Sequence, residues 1–205
     1  MKQLLLASSN PGKLAELSEL LRPTGIEVIP QSAFNITDVD ETASTFVENA
    51  LLKARHAARI SGLPTLADDS GLCVDALAGA PGLHSARYAG RHGDSAANIQ
   101  KLLGAMAGIE AAKRSAYFIC VLVLLRHADD PAPLISEGRW HGQLLRTPRG
   151  LAGFGYDPIF LDPDTGLSAA ELNPAEKQMR SHRGIALRSL LGALSASKRL
   201  LPMLS

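Results

Sequence analysis

Several short stretches of this chain carry residue types that could act together on a phosphorylated ligand. Ser8-Ser9-Asn10-Pro11-Gly12-Lys13 follows an apolar run and precedes leucines at helical spacing. A strand that turns into a helix points backbone N–H groups and the positive end of the helix dipole at the turn, an arrangement that favours an anion. Ser8 and Asn10 add hydrogen-bond donors, and Lys13 adds a full positive charge. The spacing GxxxxGK[ST] is absent, so this is not a Walker A loop. An ordinary strand-to-helix turn with a solvated lysine accounts for the same residues.

Two acidic stretches are candidates for metal or proton chemistry. Asp38-Val39-Asp40-Glu41 gathers carboxylates just ahead of a helix, where capping and dipole effects explain such clusters; the alternative is a hard oxygen ligand for Mg²⁺. Ala67-Asp68-Asp69-Ser70-Gly71 sets two carboxylates at the end of a strand, where open α/β sheets hold their ligands. Adjacent carboxylates repel unless positive charge lies beside them. A divalent cation is the simplest such charge, and an Asp-rich turn is the structural alternative.

Three further features could hold the rest of a ligand. Phe46, Asn49, Ala50 and Lys53 share one helix face. Asn49 and Lys53 interrupt its apolar stripe, so either Lys53 snorkels out from the edge or the face borders a cleft in which Lys53 reaches a phosphate. Phe154-Gly155-Tyr156-Asp157-Pro158 combines aromatic rings with flexible glycines and suits base stacking. Ser181-His182-Arg183 supplies donors for carbonyl oxygens on a purine edge, although Ser181 also reads as a helix cap followed by solvated basic residues.

The elements that must position these groups follow from periodicity and breakers. Lys2 to Ala7 reads as a strand, a helix begins near Gly12 or Lys13 and stops at Arg22-Pro23-Thr24-Gly25, and Ile26 to Ile29 reads as a second strand. This β-loop-α-β opening predicts an α/β fold. Ile36 to Ala43 is a polar loop. Ser44 or Thr45 caps a helix reaching about Ser61, with Glu48 placed for a capping box. Thr65 to Ala67 is a short strand, and Gly79 to Gly93 is a loop. Asp94 caps a helix to about Met106. Arg114 to Arg126 and Leu134 to Leu145 form a hairpin around Asp129-Asp130-Pro131. Pro158 to Phe160 is a short strand. Asn173 and Ser181 cap two late helices, the second reaching about Leu200.

The bulk properties set limits. The chain has 205 residues, 46% hydrophobic and 20% charged, which fits one domain, with or without two lobes. A net charge of +1 does not suggest a polyanion-binding surface, so a nucleic-acid role is the least supported and any anion site is local. The apolar run Phe118 to Leu125 is far shorter than the ~20 residues that cross a bilayer, and Leu4 to Ala7 is too short for a signal peptide. Cys73 and Cys120 form no CxxC pair and read as reduced thiols of a cytoplasmic protein.

With these segments in view, the chain resembles the inosine/xanthosine triphosphate pyrophosphatase family, also called Ham1-like. The resemblance runs from Leu4 to about Leu190. It rests on SSNPGK (Ser8–Lys13), TFVENALLKA (Thr45–Ala54), ADDSGL (Ala67–Leu72), GAPGLHSARYAG (Gly79–Gly90), GFGYDPIF (Gly153–Phe160) and SHRGIAL (Ser181–Leu187), in that order. Ser9 stands where many members have Gly, which is tolerated if its φ is negative.

The resemblance implies a long twisted mixed β-sheet with two α/β lobes flanking a central nucleotide-binding cleft, and a homodimer. It implies that Ser8, Ser9, Asn10, Pro11, Gly12 and Lys13 bind the triphosphate with help from Lys53. Glu41 and Asp69 would hold Mg²⁺, and Asp69 would also be the base that activates water. Ser70 would contact the nucleotide. Phe154, Gly155, Tyr156 and Asp157 would form the base pocket, and Lys177, His182 and Arg183 would complete recognition. The implied reaction converts ITP, dITP or XTP and water to the monophosphate and pyrophosphate, cleansing the nucleotide pool. The role of Asp68 stays open between a second metal carboxylate and a support for Asp69. The rival readings are a Maf-like pyrophosphatase for modified or pyrimidine nucleotides and a non-catalytic nucleotide-binding regulator.

Overall fold

A computed structural model describes residues 2–197. The strands are β1 (Lys2–Ala7), β2 (Ile26–Pro30), β3 (Thr65–Val74), β4 (Ser115–Leu125), β5 (Leu134–Leu144) and β6 (Phe160–Leu161). The helices are α1 (Pro11–Leu21), α2 (Phe46–Ser61), α3 (Ser95–Ala105), α4 (Pro174–Arg180) and α5 (His182–Ser197). The strands form one mixed sheet in the order β2-β1-β3-β4-β5-β6. β1 runs parallel to β2 and β3, whereas β5 and β6 are antiparallel. The expected α/β class and mixed sheet are therefore present. No described helix is long and apolar enough to cross a membrane.

The chain divides into two compact units. The first takes the residues up to Asp69, Cys120–Gly138 and those from His182 onward; the second takes Ser70–Ile119 and Arg139–Ser181.

In the first unit, β1 lies between β2 and β3, so the strand order reverses at β1. The carboxyl end of β1 is thus a switch point, where open α/β sheets hold ligands. Its core joins Leu4, Leu6 and Leu66 of the sheet to Leu17 and Leu21 of α1 and Leu187 and Leu190 of α5. Thr45 caps α2: its Oγ1 accepts the Glu48 N–H at 3.3 Å and donates to the Glu48 carboxylate at 2.7 Å. Gly62, at φ +69, ends α2 in the left-handed conformation. α5 seats closely on β5 because Gly138 has no side chain; a Cβ there would collide with the backbone of His182 and Ala186.

The second unit has its own core of Leu72, Val74, Ile99, Leu102, Met106, Phe118, Trp140, Ile159 and Phe160. Phe160 anchors it, with ring centroids 4.6 Å from Phe118 and 4.9 Å from Trp140. Asp94 caps α3 by accepting the Ala97 N–H at 3.0 Å.

Some expected boundaries move. β3 does not stop at Ala67; it continues through Asp68-Asp69-Ser70-Gly71 to Val74. Turn-forming residue types yield there because the strand is buried on both faces and both carboxylates find cationic partners. The Gly79–Gly93 loop contains a 3₁₀ turn, Gly82–Arg87, and Asp157–Ile159 forms another, displacing the last short strand to Phe160–Leu161. Ser181 ends α4 as its C-cap. α5 is described to Ser197, so the expected extension to Leu200 lies outside the described residues.

Candidate functional site

The parallel register of β1 and β3 pairs Ala7 with Ala67. This brings Ser8-Ser9 level with Asp68-Asp69 at the switch point. Pro11 and Gly12 open α1, and Asn10 caps it by accepting the Lys13 N–H at 3.1 Å. Ser8 Oγ accepts the Asn10 N–H at 3.3 Å. The turn is held by its own side chains. Among the described residues only Asn35 and Ala78 are non-glycine positions with positive φ, so Ser9 sits without strain. Ser9 Oγ donates to Asp38 at 2.5 Å, and Asp38 also accepts from Gln31 at 2.7 Å. That ties the turn to the acidic loop.

Because neighbouring residues of a strand face opposite sides, Asp68 and Asp69 separate. Asp69 shares its environment with α2. The Lys53 ammonium donates to Asp69 Oδ1 at 2.8 Å and to Glu41 Oε1 at 3.0 Å. Two carboxylates from distant segments therefore converge on one cation. Asn49 accounts for the second break in the α2 stripe: it is buried, and its Oδ1 accepts the Ala43 N–H at 3.0 Å, which holds the backbone just after Glu41. Burial pushes the Asp69 carboxyl above its usual range, and Lys53 opposes that only in part. Burial works against the Lys53 charge, yet Asp69, Asp68 and Glu41 together hold it above the ordinary lysine value.

Asp68 points the other way. It is fully buried, pairs with the Lys13 ammonium, and accepts the Cys120 thiol at 3.0 Å. Burial would raise its pKa, but Lys13 and Arg183 hold it well below the usual carboxylate range. Arg183, buried at the start of α5, donates from Nε to Glu16 of α1 at 2.5 Å. His182 is buried beside it in the chain. The two acids thus answer their mutual repulsion with two different lysines. Lysine ammonium groups supply the positive charge that two adjacent carboxylates require.

The second unit carries the aromatic segment. Asp157 accepts the Phe154 N–H at 2.8 Å and the Lys177 ammonium at 2.7 Å on one oxygen. The same ammonium lies 5.2 Å from the centre of the Phe154 ring. Gly153, at φ +77, lies so close to the Asp157 carboxylate that a Cβ would clash. Gly155 also adopts positive φ. Tyr156 turns inward: it is 4% exposed, and its hydroxyl donates to the Ser85 carbonyl at 2.9 Å. Ser70 continues β3 directly after Asp69 and is half-buried.

The first unit therefore gathers Lys13, Glu41, Lys53, Asp68, Asp69 and Arg183, and the second gathers Phe154, Asp157 and Lys177. Glu16, Cys120 and Ser85 were not foreseen. In the sequence Ser85 is marked only by lying inside the quoted GAPGLHSARYAG segment and Cys120 only as a reduced thiol. Among the described residues no group of three or more His, Cys, Asp or Glu side chains could hold a metal without help.

Known proteins resemble this chain along nearly its whole length. The sequence profile of the Ham1 family matches residues 4–193. A Vibrio parahaemolyticus protein named dITP/XTP pyrophosphatase is 54% identical over 196 residues, 96% of this chain and 98% of its own length. A Xanthomonas campestris protein of the same name is 57% identical over the same share of each. The structure of a Ham1 protein from Coxiella burnetii superposes with a TM-score of 0.88 at 53% identity, covering 96% of this chain and 100% of that one. The family profile over residues 4–193 and the 54–57% identity to these relatives along nearly the whole chain give one assignment: the chain belongs to the Ham1 family.

Proposed function

We propose that the protein hydrolyses non-standard purine nucleoside triphosphates, namely ITP, dITP and XTP, to the monophosphate and pyrophosphate, and so keeps them out of DNA and RNA. The relatives named dITP/XTP pyrophosphatase support the substrate class. The observation that carries the chemistry is the convergence of Glu41 and Asp69 on the Lys53 ammonium, level with the Ser8–Lys13 turn.

Water attacks the α-phosphorus and pyrophosphate leaves. Asp69 accepts the water's proton. Ser8, Ser9, Asn10, Gly12 and the ammonium groups of Lys13 and Lys53 bind the phosphates and neutralise the charge that builds on the leaving group. Phe154 stacks on the base beside Gly155 and Tyr156. Asp157 fixes Lys177, and Lys177, His182 and Arg183 complete nucleotide recognition, in which a 6-oxo purine calls for hydrogen-bond donors. Adenine would leave those donors facing an amino group, at a cost of about 1–3 kcal/mol for each buried donor left unpaired. Ser70 contacts the nucleotide.

Glu41 and Asp69 fit a Mg²⁺ requirement. They are hard oxygen donors already drawn to one cationic point, and Mg²⁺ is commonly held by one or two carboxylates together with substrate phosphates. When bound there it would supply Lewis-acid polarisation of the phosphates. The reading includes a homodimer, to be checked by solution mass, and a cytoplasmic location. Both cysteines are buried free thiols, which accords with a reducing compartment.

The test is pyrophosphate release from dITP, XTP and dATP, with Mg²⁺ and with a chelator. Release from dITP and XTP should outpace dATP and stop on metal removal. Absence of release from dITP and XTP at every Mg²⁺ concentration overturns the proposal.

A further inference from the structure

The GAPGLHSARYAG segment has no part in the chemistry above, yet one of its residues ties together two stretches of the second unit. Ser85 is buried. Its hydroxyl accepts the Leu72 N–H at 2.9 Å and donates to the Gly82 carbonyl at 2.6 Å. Its own carbonyl accepts the Tyr156 hydroxyl at 2.9 Å. Leu72 lies two residues beyond Ser70 in β3, and Tyr156 lies between Phe154 and Asp157. One serine therefore bonds to both stretches of the second unit that face the nucleotide in the proposed reading.

The surrounding turn is braced to hold that serine still. The Asn98 side chain of α3 accepts the Ala89 N–H at 2.6 Å and donates to the Ala86 carbonyl at 3.2 Å. Tyr156 is packed in the core with Leu72, Ile159 and Phe160. Its hydroxyl is thus committed to the scaffold, and the residues on either side of it inherit the position. Asp157 then fixes both Phe154 and Lys177.

We propose that Ser85 and Tyr156 form a strut that sets base selectivity: Ser85 is a positioning residue, acting through Tyr156 on the Phe154–Asp157–Lys177 group and through Leu72 on Ser70. This rests on the proposed pyrophosphatase reading and extends it to a segment without a role there. Misplacement by about 1 Å can cost a site as much as 10²-fold, and selectivity between bases depends on such placement.

The experiment compares wild type with Tyr156→Phe, Ser85→Ala and the double variant. Tyr156→Phe keeps the ring in the core and removes only the hydroxyl, so it should fold even if Ser85→Ala does not. The readout is kcat/KM for dITP and for dATP. Tyr156→Phe should lower the dITP-to-dATP ratio about fivefold or more, mainly through KM for dITP. Ser85→Ala removes the hydroxyl bonds to Leu72 and Gly82 but leaves the carbonyl that accepts from Tyr156, so the double variant, which cuts both ends of the strut, should fall at least as far as the worse single variant. General loosening of the fold would lower both substrates alike and leave the ratio standing. An active wild type with an unchanged ratio in Tyr156→Phe overturns this inference alone. A wild type that releases no pyrophosphate from dITP overturns the proposed function and the strut's role with it.

Discussion

Asp68 and Asp69 are consecutive in β3 yet belong to opposite faces, Asp68 paired with Lys13 and Asp69 with Lys53. The pair is therefore two devices. One fixes the lysine at the head of α1. The other sets a carboxylate and an ammonium beside Glu41, within reach of the turn that opens α1.

Asp69→Asn should keep nucleotide affinity and lose most turnover. A positioned general base contributes about 10²–10⁴-fold, and the amide preserves size while losing the ability to take a proton. Nucleotide binding by calorimetry and pyrophosphate release measure the two halves. Near-normal turnover would remove Asp69 from the role.

Asp68→Ala should act first on the fold. It strips the buried counter-charge from Lys13 and from nearby Arg183, and the Cys120 thiol loses its acceptor. Removing one member of a buried pair costs about 3–5 kcal/mol. Urea unfolding at neutral pH measures the loss; a change below 1 kcal/mol would mean the pair is not an essential support.

Arg183→Ala should narrow the preference for ITP over ATP and also lower stability, since Glu16 loses its buried partner. The two effects separate in measurement. A stability loss with an unchanged substrate ratio would confine Arg183 to its contacts with Glu16 and Asp68.

Asp130 provides a pH prediction away from the site. It accepts the Arg126 guanidinium at 2.8 and 2.5 Å and the backbone N–H groups of Arg126 and Ala132. Hydrogen bonds from Arg126 hold its carboxyl well below the usual range. A depressed carboxylate adds stability that is present above the unfolded-state value of about 3.9 and is lost as pH falls toward the folded value. Asp130→Asn should therefore be less stable than wild type at pH 7, by about 1–3 kcal/mol. The gap should shrink steadily below about pH 4. Thermal melts across that range test this; a gap independent of pH would show that the charge is irrelevant.

The elements were legible where the signal is local. The leucines of α1, the Thr45–Glu48 capping box, Gly62 and the Asp94 cap act over a few residues, so periodicity and capping chemistry placed α1, α2 and α3 closely. The β-loop-α-β opening also marked Ser8–Lys13 as the turn from β1 into α1. Asn49 and Lys53 betrayed themselves by breaking an apolar stripe. The run through Asp68-Asp69-Ser70-Gly71 misled, because turn-forming types give way when a strand is paired and buried on both sides.

What the order of residues determined by itself was the inventory: two lysines, two adjacent acids, a glycine-bounded aromatic segment and the helices that present them. Which acid meets which lysine was decided only by tertiary structure. That choice depends on the two faces of β3 and on which helix covers each. The partners lie far apart in sequence, 52 positions from Asp68 to Cys120, 71 from Ser85 to Tyr156 and 167 from Glu16 to Arg183. Such pairings leave no periodicity and no motif to read. They exist because burial makes a lone charge or hydroxyl costly, and only the folded chain supplies the partner that removes the cost.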